Sequence, residues 1–204
     1  MQGIKQLYRI GYGPSSSHTI APYRIVSLYK ENILNCNKYE IELGGSLALT
    51  AKGHGTIDII KKALNCNDVS IKCNLDIKEN VLNITGYINN EKQQTWHSIS
   101  TGGGAIKIKE YATDDELETY KENNFSEIKK YLKEHNCSLL EYVYSHEPNL
   151  KSYLLECLNV MFETVNKGFT VPGVQKKLSI CLEKGKGLRL TLVGNEAYIR
   201  AWEE

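Results

Sequence analysis

Residues 13–19 form the part of this sequence richest in side chains that can donate hydrogen bonds. They read Gly-Pro-Ser-Ser-Ser-His-Thr and precede an apolar, periodic segment that starts at Ile20. This segment predicts a helix with Pro22 near its first turn. The hydroxyls and the free N–H groups of the helix would converge where the helix dipole favours negative charge. The pattern indicates an anion-binding loop, and the alternative is that Ser17 or Thr19 only caps the helix.

Two further stretches combine glycines with polar side chains. Residues 45–56 read Gly-Ser-Leu-Ala-Leu-Thr-Ala-Lys-Gly-His-Gly-Thr, and residues 100–106 read Ser-Thr-Gly-Gly-Gly-Ala-Ile. Glycines let the backbone approach a ligand closely, and Lys52, His54 and Thr56 add charge and donors beside it. The alternatives are that Thr56 is an ordinary N-cap for a helix and that the three glycines form a turn or a bulge.

In this order, the three stretches resemble the beta domain of the iron-sulfur-dependent L-serine dehydratases (L-serine ammonia-lyases). That family carries a Gly-Pro-Ser-Ser-Ser-His-Thr loop, a Gly-Ser-Leu-Ala…Lys-Gly-His-Gly-Thr segment and a Gly-Gly-Gly segment, and residues 13–19 match the first motif without a gap. More loosely, residues 138–168 and the Pro172-Gly173 turn resemble the start of the family's alpha domain. The resemblance implies deamination of L-serine to pyruvate and ammonia.

The resemblance also implies roles for individual residues by their position in the motifs. Removing ammonia from L-serine requires loss of the Cα proton and expulsion of the β-hydroxyl, while the substrate carboxylate is held in place. His18, Lys52 and His54 are the expected catalytic residues. The expected substrate-binding residues are Ser15, Ser16, Ser17, Thr19, Gly53, Gly55, Thr56, Gly102, Gly103 and Gly104. The alternatives are that His18 only orients the loop, that Lys52 is solvated and that His54 bonds to backbone.

A 4Fe-4S cluster is the cofactor that the resemblance implies, because an open iron site binds the β-hydroxyl. The part of the family that holds the cluster is not found in these 204 residues, and the six cysteines lack a close ligand spacing. Cys157 on a helix and Cys73 at a strand end are typical of buried structural thiols. We therefore expect no metal ligands in this chain and a cluster on a separate alpha chain.

The resulting hypothesis is a subunit or fragment of an L-serine dehydratase that is inactive without its partner alpha chain. The complex could also form homo-oligomers. The alternative is a non-catalytic regulatory module that senses serine or an anion, since the family's beta domain is similar to the substrate-binding regulatory domain of some phosphoglycerate dehydrogenases. A phosphate-ester enzyme is less favoured, because no Gly-x-x-x-x-Gly-Lys-Ser/Thr loop is present.

Charge and hydropathy exclude several other classes of protein. Twenty-five Lys and Arg against 24 Asp and Glu give a net charge of +1, so no bulk attraction to nucleic acid or acidic membranes is expected. No apolar run approaches the roughly 20 residues that span a bilayer, and the polar N-terminus has no signal-peptide core. We expect a cytoplasmic protein with no membrane or nucleic-acid partner.

The elements that must position these residues predict an α+β fold in two parts. Residues 1–112 are expected to form a mixed α/β sandwich, the beta-like domain, with helices on a mostly antiparallel sheet. The predicted strands are Tyr39–Leu43, Val69–Cys73, Asn80–Ile88 and Gln93–Ile99, with Asn89-Asn90 as a turn and a helix from Ile57 to Leu64.

Residues 113–204 are expected to form a mainly helical segment that resembles the start of the alpha domain. Apolar residues at helical spacing predict a helix from Leu150 to about Gly168. Its apolar stripe must pack on the shorter helices predicted around residues 128–132 and 139–144, or on another chain. The tail predicts a helix at Gln175–Leu182 and a strand at Leu188–Val193.

Overall fold

A computed structural model describes residues 1–12, 15–170, 188–193 and 196–201. The fold is α+β, as predicted, with a mixed sheet in the first part and mainly helices in the second. The helices are α1 Ile4–Leu7, α2 Ala21–Asn32, α3 Gly45–Leu49, α4 Thr56–Leu64, α5 Phe125–Glu134, α6 Leu139–His146 and α7 Leu150–Thr170. The strands are β1 Lys38–Gly44, β2 Val69–Asn74, β3 Val81–Ile88, β4 Glu91–Gly102, β5 Ala105–Ile108, β6 Leu188–Val193 and β7 Glu196–Ala201.

The main sheet has five strands in the order β2-β1-β3-β4-β5. Strands β1 and β2 are parallel, while the other neighbouring pairs are antiparallel. The four strands predicted in the first part are therefore confirmed, and β5 is an additional one. The Asn89-Asn90 turn is also confirmed, because both residues have positive φ angles, 51° and 70°, as a two-residue hairpin turn requires.

One face of the sheet packs against helices α2 and α4 to form the hydrophobic core. Along β1, Tyr39, Ile41 and Leu43 are buried while the residues between them are half-buried, which is the alternation of a sheet covered on one face. Helix α2 contributes Ile25, Val26 and Tyr29, and helix α4 contributes Ile60 and Leu64. This core fixes the N-terminal ends of α2 and α4, where the sequence places its candidate residues.

The second part has its own cluster of aromatic side chains. Tyr120, Tyr131, Tyr142 and His146 contact one another through stacked and edge-to-face rings. The N-terminal segment is tied to this part, because the backbone N–H groups of Ile4 and Lys5 donate to the Glu147 carboxylate. Contacts thus cross the expected boundary at residue 112, and the division into two domains stays a prediction.

Helix α7 begins at the predicted residue and ends at Thr170, two residues beyond the predicted Gly168. Leu158 and Phe162 of its apolar stripe are 46% and 67% exposed. Strand β6 confirms the predicted strand at Leu188–Val193 and pairs with β7. The predicted helix at Gln175–Leu182 lies outside the described residues.

None of the helices in the described part of the chain combines the length and the apolar composition that a membrane-spanning segment requires.

Candidate functional site

Residues 15–19, the serine loop, enter helix α2 through a single π-helical turn at Ser16–Ile20. Such turns are frequent at functional sites. The buried Thr19 hydroxyl donates to the Ser15 carbonyl at 2.5 Å, so this side chain holds the loop together. Gly13 and Pro14, which open the motif, lie outside the described residues.

His18 lies at the centre of a network of hydroxyl groups. Its Nδ1 is 2.9 Å from Ser17 Oγ and 3.2 Å from Ser15 Oγ. Its Nε2 is 3.0 Å from the Oγ of Ser46, which belongs to helix α3 after strand β1. The ring therefore links the serine loop to the second glycine-containing stretch of the sequence.

The turn at residues 51–55, the His54 turn, brings a second imidazole against the first. The rings of His18 and His54 are stacked, with centroids 4.6 Å apart and an interplanar angle of 27°. Gly55 has a left-handed conformation with φ 72° and ends the turn directly before helix α4. The fold thus brings together the two histidines that the sequence predicts to act in catalysis.

Two polar atoms beside this stack are buried without a hydrogen-bond partner in the described part of the chain. They are His54 Nδ1 and Thr56 Oγ1. Because a buried polar atom without a partner costs about 1–3 kcal/mol, such atoms need an explanation. A bound polar ligand would supply the missing hydrogen bonds.

The alternative that Thr56 is the N-cap of a helix is wrong. Gly55 occupies the cap position of helix α4, and Thr56 is its first residue, fully buried. Its hydroxyl satisfies no backbone group of the helix, so its burial has no capping role.

Burial lowers the pKa of His18, the neighbouring His54 lowers it further, and a hydrogen bond with the backbone of Ser46 opposes both in part. The ring is therefore neutral near pH 7, and one of its nitrogens accepts a hydrogen bond. A neutral imidazole among hydroxyl groups can take up a proton.

Lys52 and Gly53 lie in the His54 turn and are exposed. The Lys52 carbonyl accepts a hydrogen bond from the Gly55 N–H at 3.2 Å. Its side chain forms no hydrogen bond or ion pair with any residue that the structure describes. The roles expected for Lys52, Gly53 and Gly55 therefore stay predictions.

The three glycines Gly102–Gly104, the glycine turn, connect strands β4 and β5. All three have positive φ angles, 109°, 58° and 80°. The turn adjoins the serine loop, because Ser100 Oγ donates to the Ser17 carbonyl at 3.0 Å and Gly104 lies against Ile20. Its two exposed glycines, Gly102 and Gly103, have no side-chain atom within 4 Å of a Cβ position.

A largely buried cluster of charged side chains stabilises the glycine turn. The Asp115 carboxylate pairs with Arg9 at 2.6 Å and with Arg24 at 2.7 Å, and the same arginines donate to the carbonyls of Gly103 and Gly104. Burial alone would raise the pKa of Asp115, but hydrogen bonds from both arginines and the Ile106 N–H lower it. The two arginines thus hold the turn, and Asp115, from the start of the second part, positions both of them.

Sequence reasoning assigned no role to Ser46, Asn80, Ser100 or the Asp115 cluster. Ser46 and Ser100 lie inside the motif stretches, and this position in the sequence could have marked them as candidate site residues. Asn80 directly precedes strand β3 and carries no local signal, since its contact with Ser46 joins residues 34 positions apart.

The described residues do not fit an iron-sulfur cluster. In this part of the chain, no group of three or more His, Cys, Asp or Glu side chains could hold a metal ion. Cys157 is buried, as expected, whereas Cys73 is exposed, so reading it as a buried thiol is wrong. Cys181 lies outside the described residues.

Parts of the chain are similar to known proteins. Residues 3–82 match the family described as Serine dehydratase beta chain. L-serine dehydratase of Haemophilus influenzae is 28% identical over 114 residues, 53% of this chain and 24% of that protein. L-serine dehydratase of Helicobacter pylori strain J99 is 47% identical over 55 residues, 25% of this chain and 12% of that protein.

One alignment runs along nearly the whole chain. L-serine dehydratase 2 of Escherichia coli is 23% identical, and the alignment covers 96% of this chain and 55% of that protein. The chain thus spans about half or less of the length of these relatives. Residues 3–82, which carry the serine loop and the His54 turn, are therefore similar to the serine dehydratase beta chain.

Proposed function

We propose that this chain is a subunit or fragment of an L-serine dehydratase and deaminates L-serine to pyruvate and ammonia together with an alpha chain. The names of its relatives support the substrate, and the site offers groups that suit it. L-serine carries a carboxylate, an ammonium group and a hydroxyl, each of which needs hydrogen-bond partners when it leaves water.

The observation that carries the proposal is the His18–His54 stack beside two buried, unpartnered polar atoms, His54 Nδ1 and Thr56 Oγ1. A preformed site keeps polar groups ready for a ligand, and the fold bears the cost until the ligand binds. A small, strongly polar molecule such as an amino acid suits these atoms better than an apolar one.

In this proposal the serine loop binds the substrate carboxylate, and the histidine pair accepts the Cα proton. A neutral His18 can act as a base, and two protonated rings at 4.6 Å would repel each other. The pair therefore takes up one proton more readily than two. Lys52 adds an exposed positive charge near the site.

The cofactor and the partner belong to the same proposal. The 4Fe-4S cluster is assigned to the alpha chain, because the described residues here offer no set of ligands for it. We place the complex in the cytoplasm. No step at the cluster is assigned to residues of this chain.

The test is anaerobic pyruvate release from L-serine by this chain purified with its associated proteins and reconstituted with iron and sulfide. We expect pyruvate formation that falls at least tenfold in His54→Gln, while the exposed His135→Gln variant keeps the wild-type rate. Absence of pyruvate from a complex with an intact cluster would overturn the proposal. Tight binding of L-serine by the chain alone, with no turnover in the complex, would support the serine-sensing module instead.

A further inference from the structure

The side chain of Asn80 has a fixed orientation at the edge of the site. Its Oδ1 lies 2.8 Å from the backbone nitrogen of Ser46 and 2.6 Å from Ser46 Oγ. A backbone N–H can only donate, so the atom that faces it must be the amide oxygen. The amide of Asn80 cannot be reversed without placing two donors against each other.

This orientation fixes the hydrogen of the Ser46 hydroxyl. The amide oxygen of Asn80 only accepts, so Ser46 Oγ donates its one proton to Asn80. Toward His18 Nε2, 3.0 Å away, Ser46 Oγ can therefore act only as an acceptor. The hydrogen of this contact must be carried by His18 Nε2.

The other nitrogen of His18 is then free of hydrogen in the neutral ring. His18 Nδ1 accepts from Ser17 Oγ at 2.9 Å, with Ser15 Oγ at 3.2 Å as the second neighbour. Nδ1 is the acceptor whichever of the two hydroxyls donates to it, because a neutral imidazole has one donor nitrogen and one acceptor nitrogen.

We propose that Asn80 is a positioning residue that acts through Ser46 to hold His18 as its Nε2–H tautomer, so that Nδ1 is the atom that takes up a proton at the serine loop. The tautomer follows from the hydrogen bonds of this chain. Its use in the deamination of serine rests on the proposed function.

The tautomer has a consequence for ligand binding. In the neutral state the Ser17 proton points at the ring and not toward a ligand. When Nδ1 takes up a proton, it becomes a donor to Ser17 Oγ, and the Ser17 proton is released to face a carboxylate. Binding of a carboxylate would then be coupled to uptake of one proton by the site. The titratable group in contact with His18 is the stacked His54, and the exposed Lys52 lies two residues before His54 in the same turn.

The tautomer can be measured directly on the full chain. Histidine labelled with ¹⁵N gives distinct Nδ1 and Nε2 shifts for each tautomer, and His18→Gln identifies the signal of His18. We expect the Nε2–H form in the wild-type protein. Asn80→Ala frees the Ser46 proton to turn toward Nε2, and Ser46→Ala removes the acceptor, so both variants should give a mixture of tautomers.

Asn80→Asp is the informative conservative change. A carboxylate keeps both hydrogen bonds from Ser46, so the Nε2–H form should persist. Its negative charge favours the protonated ring, so His18 should take up its proton at a higher pH than in the wild-type protein. The tautomer is the readout that distinguishes a positioning role from a structural one, because a new negative charge near His18 raises its pKa in either case.

Asn83→Ala is the matched control. Asn83 lies in strand β3, three residues after Asn80, but its amide donates to the Glu42 carboxylate at 3.3 Å and makes no hydrogen bond to Ser46 or His18. Its variant should leave the His18 signals unchanged. The indole signal of Trp96, a side chain only 2% exposed, reports whether each variant is folded. If Asn80→Ala does not fold, the tautomers of His18 in Ser46→Ala and Asn80→Asp test the inference.

An Nδ1–H tautomer in the wild-type protein would overturn the inference, as would a tautomer unchanged in the folded Ser46→Ala variant. These spectra need no substrate, partner or cluster. If the reconstituted complex forms no pyruvate while the wild-type chain shows the Nε2–H form, the proposed function fails and the tautomer inference stands.

Discussion

The imidazole rings of His18 and His54 stack with their centroids 4.6 Å apart. His18 belongs to the turn that leads into α2, and His54 to the turn that leads into α4. Because α2 and α4 pack on the same face of the sheet, the hydrophobic core holds the two rings in contact. The chemistry of the site is therefore coupled to the stability of the fold.

Replacing His18 with glutamine should flatten the pH dependence of stability. Burial and the neighbouring His54 lower the pKa of His18 in the folded state, while the unfolded chain titrates near pH 6.5. The stabilising contribution is fully present above the unfolded pKa and is lost as pH falls through the folded pKa. Urea unfolding at about pH 7.5 and about pH 5.5 should show a smaller loss in His18→Gln than in the wild-type protein.

His135→Gln is the control for this experiment. His135 is exposed and its ring contacts Tyr131 of the same helix end. Its variant should lose as much stability as the wild-type protein between the two pH values. An equal loss in His18→Gln would contradict the assignment of a lowered pKa to His18.

Thr56→Val should make the protein more stable and weaken its binding of L-serine. Valine has the shape of threonine and lacks the buried hydroxyl that has no partner in the described residues. Removing that group should raise the free energy of unfolding by about 1 kcal/mol. Loss of one ligand hydrogen bond should weaken L-serine binding about tenfold, a change of about 1.4 kcal/mol. Urea unfolding and calorimetric titration measure the two effects.

Thr56→Ser gives the opposite pattern and serves as the matched control. It keeps the hydroxyl and loses a buried methyl group, which should cost about 1 kcal/mol of stability. Binding of L-serine should remain near the wild-type level. If Thr56→Val destabilises the protein and binds L-serine normally, the Thr56 hydroxyl does not serve to bind a ligand.

Asp115→Asn should be strongly destabilising. The carboxylate is only 6% exposed and pairs with both Arg9 and Arg24. Neutralising it leaves two largely buried guanidinium groups without their charge partner, which typically costs about 3–5 kcal/mol. Glu116→Gln, which removes an exposed pair with Lys107 at 3.5 Å, should cost less than about 1 kcal/mol. Comparable losses in the two variants would show that the Asp115 cluster contributes little.

Much of the sheet could be predicted because its signals are local. The alternation of Tyr39, Ile41 and Leu43 is visible in the sequence, and so is the Asn89-Asn90 turn. Strand β5 was missed, because its four residues follow the glycine turn directly and are too short to show alternation. The end of α7 was misplaced because Gly168 does not terminate that helix.

The candidate site was predictable in part for the same reason. The serine loop and His54 stand out by composition, whereas Asn80 acts only because the fold brings it beside Ser46, 34 positions away. The burial of Thr56 could not be predicted either, since a threonine before a helix is usually a cap. Contacts across the fold, such as Arg9 with Asp115, leave no local trace in the sequence.

Gly45 and Gly55 give a matched pair that tests the support of the site. Both have positive φ angles, 60° and 72°, so alanine is strained at either position. At Gly55 an added Cβ meets no atom within 4 Å, and the cost should be the backbone strain alone, about 1–2 kcal/mol. At Gly45 the same Cβ would overlap the Glu79 carbonyl and lie 2.8 Å from Asn80 Oδ1. Gly45→Ala should therefore cost more than about 3 kcal/mol.

The tautomer of His18 separates the two variants further. Moving the Asn80 amide away from Ser46 releases the Ser46 proton, so folded Gly45→Ala should show a mixture of His18 tautomers, whereas Gly55→Ala should keep the Nε2–H form. Urea unfolding and the ¹⁵N spectra of labelled histidine measure the two effects on the same samples. Equal stability losses in the two variants would contradict the close packing of Gly45 against residues 79 and 80. A pure Nε2–H signal in Gly45→Ala, despite a larger loss of stability, would mean that Asn80 keeps its hydrogen bonds with Ser46 when the backbone shifts.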